Sequence, residues 1–226
     1  MINGEPLRSE SATTNRLRVM EKDDIFIPWW ATSFTSGEAE AAEAAVAGRH
    51  LSQGPITALF EGALANYLGV PHVVAVTSGT SALTLALMAQ GIGPGDEVLV
   101  PNRTWIATAH AVQILGAKPV FVDTELGRPV FEVGTADRHL TSRTKAIIPV
   151  HMNGRSVDMD AVNAFAATND LIVIEDAAQA LGSCDQQGRA LGTLSKAGCF
   201  SLSVAKIIST GQGGFVATCD AEMDAQ

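Results

Sequence analysis

The sequence predicts an α/β fold: a mostly parallel sheet of about seven strands with helices on both faces. Three observations carry this. From His72 onward, short β-branched or aliphatic runs alternate with helical segments. Apolar residues stand at consecutive positions in these runs rather than alternating with polar ones, as in strands buried on both faces. Gly, Pro and Ser punctuate the boundaries between them. With 226 residues, 46% of them hydrophobic, the chain has enough apolar material for one substantial core.

Residues 1–24 are polar and without period, and read as a mobile tail or early-docking arm ahead of a domain over residues 25–226. Thr35 with Glu38 forms a capping-box pattern, and the Ala-rich stretch up to Arg49 is a strong helix former. A second helix is predicted over Ile56–Leu68, stopped by Gly69 and Pro71. His72–Thr77 reads as a strand and Ser81–Gln90 as a helix ended by Gly91 and Gly93. Glu97–Val100, Pro119–Val122, Lys145–Val150 and Leu171–Glu175 read as further strands, with Ala107–Leu115 and Met159–Ala167 as intervening helices. The last two strands, Gly198–Leu202 and Gly214–Thr218, are separated by eleven residues. That gap is short for a helix-bearing crossover, so one of the two is expected to run antiparallel. A helical stretch, Ala221–Gln226, ends the sequence.

Composition narrows the function. The net charge of −9 and the scattered Lys and Arg argue against nucleic acid as a partner. No apolar run approaches the ~20 residues of a membrane span, and the N-terminus lacks the apolar centre of a secretory signal. Cys184, Cys199 and Cys219 form no C-x-x-C pair, and the five histidines show no ligand spacing. No metal site is expected, and a reducing cytoplasm is the default location.

Four short motifs fall where ligands bind in open α/β sheets, at the carboxyl ends of strands. Ser78-Gly79-Thr80-Ser81 lies between a strand and a helix. Amides at a helix N-terminus favour an anion such as phosphate, and Gly79 permits close approach, with Thr80 or Ser81 capping and donating. The same residues serve equally as an ordinary helix cap. They are no dinucleotide fingerprint, since G-x-G-x-x-G is missing, which sets a nicotinamide-binding protein low.

Glu175-Asp176-Ala177-Ala178-Gln179 follows the buried run Leu171–Ile174. A carboxylate there demands a partner. For Asp176 that partner is either a cation, such as a protonated pyridine nitrogen, or the amides of a following helix. Gln179, one helical turn on, can reach a ring hydroxyl. Lys206 sits among Val204, Ala205, Ile207 and Ile208. An apolar setting lowers an amine's pKa, as Schiff-base chemistry requires, although an arbitrary lysine more often extends to solvent. Ser201 can reach the same phosphate. Trp105 lies on a loop past Glu97–Val100, where an indole either stacks on an aromatic ligand or joins the core. His151, at a strand end, reads as structural rather than as an acid or base.

In order and spacing these motifs resemble the DegT/StrS-type sugar aminotransferases, pyridoxal phosphate enzymes of the aspartate aminotransferase fold. The resemblance runs from about Ile27 to the last residue. It includes Ser52-Gln53-Gly54-Pro55, Ser78-Gly79-Thr80-Ser81-Ala82-Leu83, Gly93-Pro94-Gly95-Asp96-Glu97-Val98 and Phe121-Val122-Asp123. It continues through Val150-His151-Met152-Asn153-Gly154 and Glu175-Asp176-Ala177-Ala178-Gln179-Ala180, and closes with Phe200-Ser201, Lys206 and Gly211-Gln212-Gly213-Gly214. Gln212 replaces a commoner glutamate.

The resemblance implies that Lys206 is the catalytic amine, joined to pyridoxal phosphate as a Schiff base. It implies that Asp176 pairs with the ring nitrogen, Gln179 contacts the ring hydroxyl and Trp105 stacks on the ring. Gly79, Thr80, Ser81 and Ser201 are implied to hold the phosphate. Relatives that dehydrate a sugar carry histidine at the position of Lys206, so lysine implies transamination. The implied reaction moves an amino group from an amino-acid donor, glutamate, to a nucleotide-linked keto-sugar in a homodimer. The resemblance further implies that the smaller C-terminal domain of the family is absent from these 226 residues. Two alternatives stand beside it: a catalytically silent fragment that needs a separate C-terminal half, and a relative acting on a cyclitol or other keto substrate.

Overall fold

Seven strands form one sheet: β1 (His72–Val76), β2 (Glu97–Pro101), β3 (Lys118–Val122), β4 (Thr144–Ile147), β5 (Ile172–Asp176), β6 (Ala197–Ser201) and β7 (Gly214–Thr218). Their spatial order is β1-β7-β6-β5-β4-β2-β3. The computed structural model describes Pro28, residues 30–50 and residues 52–225, so the predicted tail over residues 1–24 lies outside the described residues. The sheet and its helices belong to the compact unit Thr32–Gln226.

Strands β2 to β6 pair in parallel, whereas β7 is antiparallel to both β6 and β1. The short link between β6 and β7 leaves no room for a covering helix, and β7 is the strand that reverses. It inserts between β6 and β1, and β1 therefore points the same way as the five parallel strands.

Helix α1 (Ser36–Ala47) begins as expected. Thr35 accepts from the Gly37 amide while Glu38 accepts from the Thr35 amide, completing the capping box. Helix α2 (Pro55–Leu68) has proline in its first turn and ends at left-handed Gly69. Helix α3 (Gly79–Ala89) starts two residues before the predicted Ser81, because Ser78 rather than Thr80 or Ser81 is its cap. Helices α4 (Ala107–Ile114), α5 (Met159–Thr168) and α6 (Ala221–Ala225) complete the set. Between β3 and β4 the chain makes two short 3₁₀ turns, which the sequence pattern does not suggest.

Side chains alternate across the sheet, and two layers of core result. Val98, Val100, Ala146, Ile174, Cys199 and Val216 face α3, α4 and α6. Their strand neighbours face the other way. Leu99, Ile147 and Val173 pack on α5, and Val73, Phe200, Phe215 and Ala217 pack under α2. Phe200 and Phe215 stack at 4.5 Å between ring centroids. Both faces being covered explains why the strands read as continuous apolar runs. No helix of the described residues is long and apolar enough to cross a membrane.

Candidate active site

Strand register places the predicted site residues along one edge. Gly214 of β7 pairs with Val76 on one side and Ser201 on the other. The chain leaving β1 therefore enters the Ser78–Ser81 turn directly beside the end of β6. A Cβ on Gly214 would stand 2.6 Å from the Ser78 carbonyl carbon and 2.7 Å from the Gly79 nitrogen. A Cβ on Gly79 would stand 2.8 Å from the Cβ of Ser201. Both glycines are needed for this close approach of backbone to backbone.

Ser78 caps α3, accepting from the Ser81 amide at 3.0 Å. The Ser81 hydroxyl lies 2.9 Å from that of Ser78 and 3.0 Å from that of Thr77. The Gly79 and Thr80 amides take no intrachain acceptor among the described residues and remain at the helix's positive end. Ser201, beside them, has only long contacts of 3.4 Å with Ser203. Two free amides and a serine hydroxyl make a cradle suited to phosphate.

Asp176 ends β5 with its side chain on the α3–α4 face. It is buried, accepting at Oδ2 from the Thr108 hydroxyl (2.8 Å) and at Oδ1 from the Ala178 amide (3.1 Å). Burial pushes its carboxyl above the ordinary value, opposed by the Thr108 and Ala178 hydrogen bonds and by the charge of Lys206. Ala177–Ala180 is a turn rather than the expected helix, closed by the Ala180 amide donating to Ala177. Gln179 nevertheless reaches the edge. Its Oε1 accepts from the Asn153 amide at 2.8 Å, which leaves its NH₂ to donate elsewhere.

Lys206 lies in the loop between β6 and β7, half-buried. Desolvation lowers its amine pKa and Asp176 partly restores it, so the two groups feel each other's charge. No ion pair of Lys206 is present among the described residues. The Thr32 hydroxyl lies 3.2 Å from the Val204 carbonyl and 3.4 Å from that of Lys206, tying this loop to the segment before α1. The aliphatic neighbours do not form the apolar enclosure expected of them: Val204, Ile207 and Ile208 are exposed. Trp105 is exposed as well, at 67%, and is not a core tryptophan.

Glu175 and Asp176 are consecutive and point to opposite faces, so they do different work. Glu175 is wholly buried and accepts from Gly192, Leu194, Ser195 and His151. His151 accepts the Val157 amide at Nδ1, so its proton sits on Nε2 and donates to Glu175 at 2.8 Å. Both imidazole nitrogens are occupied, in keeping with the structural reading of this histidine. Sequence reasoning missed Thr32 and Thr108, and gave the capping role of Ser78 to Thr80 or Ser81. For Thr108 one signal existed: it stands four residues after Thr104 at the start of a helix, a spacing that stacks two hydroxyls.

The mixed seven-stranded sheet with helices on both faces is the fold of the fold-type-I aminotransferases. The chain belongs to the DegT/DnrJ/EryC1/StrS aminotransferase family, whose model matches residues 33–226. GDP-perosamine synthase of Caulobacter vibrioides is 46% identical over 167 residues, which is 74% of this chain and 45% of that protein. UDP-4-amino-4-deoxy-L-arabinose–oxoglutarate aminotransferase of Shewanella sediminis is 37% identical over 201 residues, 89% of this chain and 51% of that protein. Among solved structures, the PLP form of a putative sugar aminotransferase from Streptococcus pneumoniae superposes with a TM-score of 0.80 at 28% identity. That match covers 87% of this chain and 54% of the other. The chain thus spans about half the length of the relatives it matches.

Proposed function

We propose that residues 25–226 are the cofactor-binding domain of a pyridoxal phosphate aminotransferase that aminates a nucleotide-linked keto-sugar with glutamate as donor. One observation carries the reading: a desolvated amine, a buried carboxylate and a glycine-lined helix N-terminus meet on one sheet edge. The donor set fits the cofactor. Asp176 suits a cationic ring nitrogen, the amides of Gly79 and Thr80 with the Ser201 hydroxyl suit its phosphate, and the Gln179 NH₂ suits its ring oxygen. Ser81 acts one step back, since its amide is held by Ser78. Trp105, exposed on the adjoining loop, is available to cover the ring face.

When bound, the cofactor supplies an electron-withdrawing ring that stabilises negative charge on the carbon bearing the transferred nitrogen. Lys206 holds the cofactor and then moves a proton at Nζ, a task that needs the neutral amine and so benefits from the lowered pKa. Asp176, as carboxylate, keeps the ring nitrogen charged. The nucleotide-sugar assignment draws support from the names of the two relatives above, and glutamate is the amino acid that corresponds to the oxoglutarate in the second name. A second copy of the chain is proposed to cover the exposed Ile106, Ile207 and Ile208. The three free cysteines fit a reducing cytoplasm.

Purified protein with pyridoxal phosphate is expected to show a near-visible absorbance band and, after borohydride, a stable mass increase on Lys206. Lys206→Ala is expected to show neither. A wild type lacking both, as monomer or dimer, overturns the reading. Mass measurement in solution checks the dimer. Glutamate with a nucleotide-linked keto-sugar, and in parallel with a keto-cyclitol, tests substrate class. Cofactor attachment without turnover of either supports the alternative that these 226 residues require a further polypeptide for activity.

A further inference from the structure

Among the described residues, Asp176 takes a hydrogen bond from one side chain, Thr108, and the surroundings of that hydroxyl are unusual. Thr108 is fully buried. Its Oγ1 lies 2.8 Å from Asp176 Oδ2, 2.9 Å from Thr104 Oγ1 and 3.2 Å from the Trp105 carbonyl. The hydroxyl has one proton to give. The carboxylate is both nearer and charged, so Thr108 donates to Asp176 and its oxygen accepts a hydrogen bond from the Thr104 hydroxyl. The result is a directed chain, Thr104 to Thr108 to Asp176, that begins on the loop carrying Trp105. The Ala178 amide holds the other carboxylate oxygen. Each oxygen thus has one protein donor and a lone pair to spare.

We propose that Thr108 is a positioning residue: with Thr104 behind it, it orients the Asp176 carboxylate and stabilises its ionised form at the sheet edge. The functional role of this device rests on the reading of Asp176 as partner of the cofactor's ring nitrogen. Other groups act on Asp176 as well: Lys206 from the loop after β6, His151 from the segment after β4 and Cys199 from β6. Burial works against the carboxylate, and the Thr108 hydrogen bond is the foremost effect opposing it. Thr108 also couples the two halves of the site. A shift of the Trp105 loop pulls on the same hydroxyl that fixes Asp176.

The test separates this inference from the functional reading. In the cofactor-free protein, the Asp176 carboxyl carbon is titrated by ¹³C NMR and assigned by difference with Asp176→Asn. Thr108→Val keeps the shape and removes the hydroxyl, and is expected to raise the Asp176 pKa by about one to two units. Thr108→Ser restores the hydroxyl without the methyl and is expected to return the titration to that of the wild type, which a purely packing role would not do. Thr104→Val is expected to give a smaller rise of the same sign. No rise in folded Thr108→Val overturns the proposal; if that variant does not fold, no rise in Thr104→Val overturns it. With pyridoxal phosphate added, Thr108→Val is expected to weaken binding about tenfold. A wild type that binds no cofactor refutes the functional reading alone, and the titration still decides the Thr108–Asp176 coupling.

Discussion

Gly79 approaches Ser201 so closely that a Cβ on the glycine would lie 2.8 Å from the serine Cβ and 3.4 Å from its Cα. The obstructing atoms belong to the base of a side chain and to the backbone, so they cannot swing aside. Gly79→Ala must therefore lift the start of α3 away from the end of β6. Expected are a stability loss of about 1–3 kcal/mol and a loss of pyridoxal phosphate affinity of roughly tenfold or more, at ~1.4 kcal/mol per decade. Urea melts and cofactor titration read the two effects. Gly214→Ala is expected to cost more stability, because its Cβ would meet only backbone atoms of Phe200, Ser78 and Gly79.

Trp105 offers the opposite profile. Its indole is largely exposed, so Trp105→Ala is expected to change stability by no more than about 0.5 kcal/mol. If the indole covers the cofactor ring, the same variant loses up to about tenfold in cofactor affinity. Thermal melting paired with a binding titration checks this. A large loss of stability would mark the residue as core.

Glu175 should matter to folding and not to proton transfer. Each carboxylate oxygen accepts from two donors in a fully buried site. Glu175→Gln puts an NH₂ group against the Leu194 amide or against the Gly192 amide and His151. Either orientation leaves a buried donor unsatisfied, at about 1–3 kcal/mol. Chemical denaturation measures it, and the pH dependence of cofactor attachment at Lys206 is expected to stay unchanged.

Glu97 governs part of the acid response. It is buried at the start of β2 and accepts from Thr141, Arg143 and Lys118, in that order of influence, which hold its pKa down from 4.5 to about 2. The folded state thus binds its proton later than the unfolded chain does. The stabilisation is complete above pH 4.5 and disappears as the pH falls towards 2. Since Arg143 and Lys118 are exposed and screened, the contribution is on the order of 1–2 kcal/mol. Denaturation across that pH range is expected to show a shallower acid limb in Glu97→Gln.

Much of this fold is legible in the sequence because its strands are buried on both faces. Apolar runs such as Val98–Val100 and Leu171–Ile174 have no other comfortable place, and turn-favouring residues mark their ends: Gly95-Asp96 and Pro101 for the first, Asn169-Asp170 before the second. Helix starts are less legible. The α3 boundary falls before the predicted one because Ser78, Thr80 and Ser81 are all good caps, and only the backbone at Ser78, extended rather than helical, selects among them. After Asp176 the run Ala-Ala-Gln is helical in propensity, yet the chain turns. There the Ala178 amide bonds back to the Asp176 side chain and tertiary contacts override propensity.

What the sequence determined by itself is the set of elements and a group of candidate residues at or just past their carboxyl ends: Lys206, Asp176, Gln179, Ser201 and the Ser78–Ser81 turn. The elements are written in periodicity, while the candidates, each a modest signal alone, stand out through the order in which their motifs resemble a family's. Tertiary structure alone decided which of them meet. The reversal of β7, slotted between β1 and β6, sets Gly79 against Ser201. The packing of α4 on the sheet brings Thr108 to Asp176, 68 residues away in the chain. Strand alternation by itself turns Glu175 and Asp176 to opposite faces, and the packing on each face then gives His151 to Glu175 and Thr108 to Asp176. The reason is physical: a hydrogen bond between distant residues depends on strand order and register, and no local pattern encodes either.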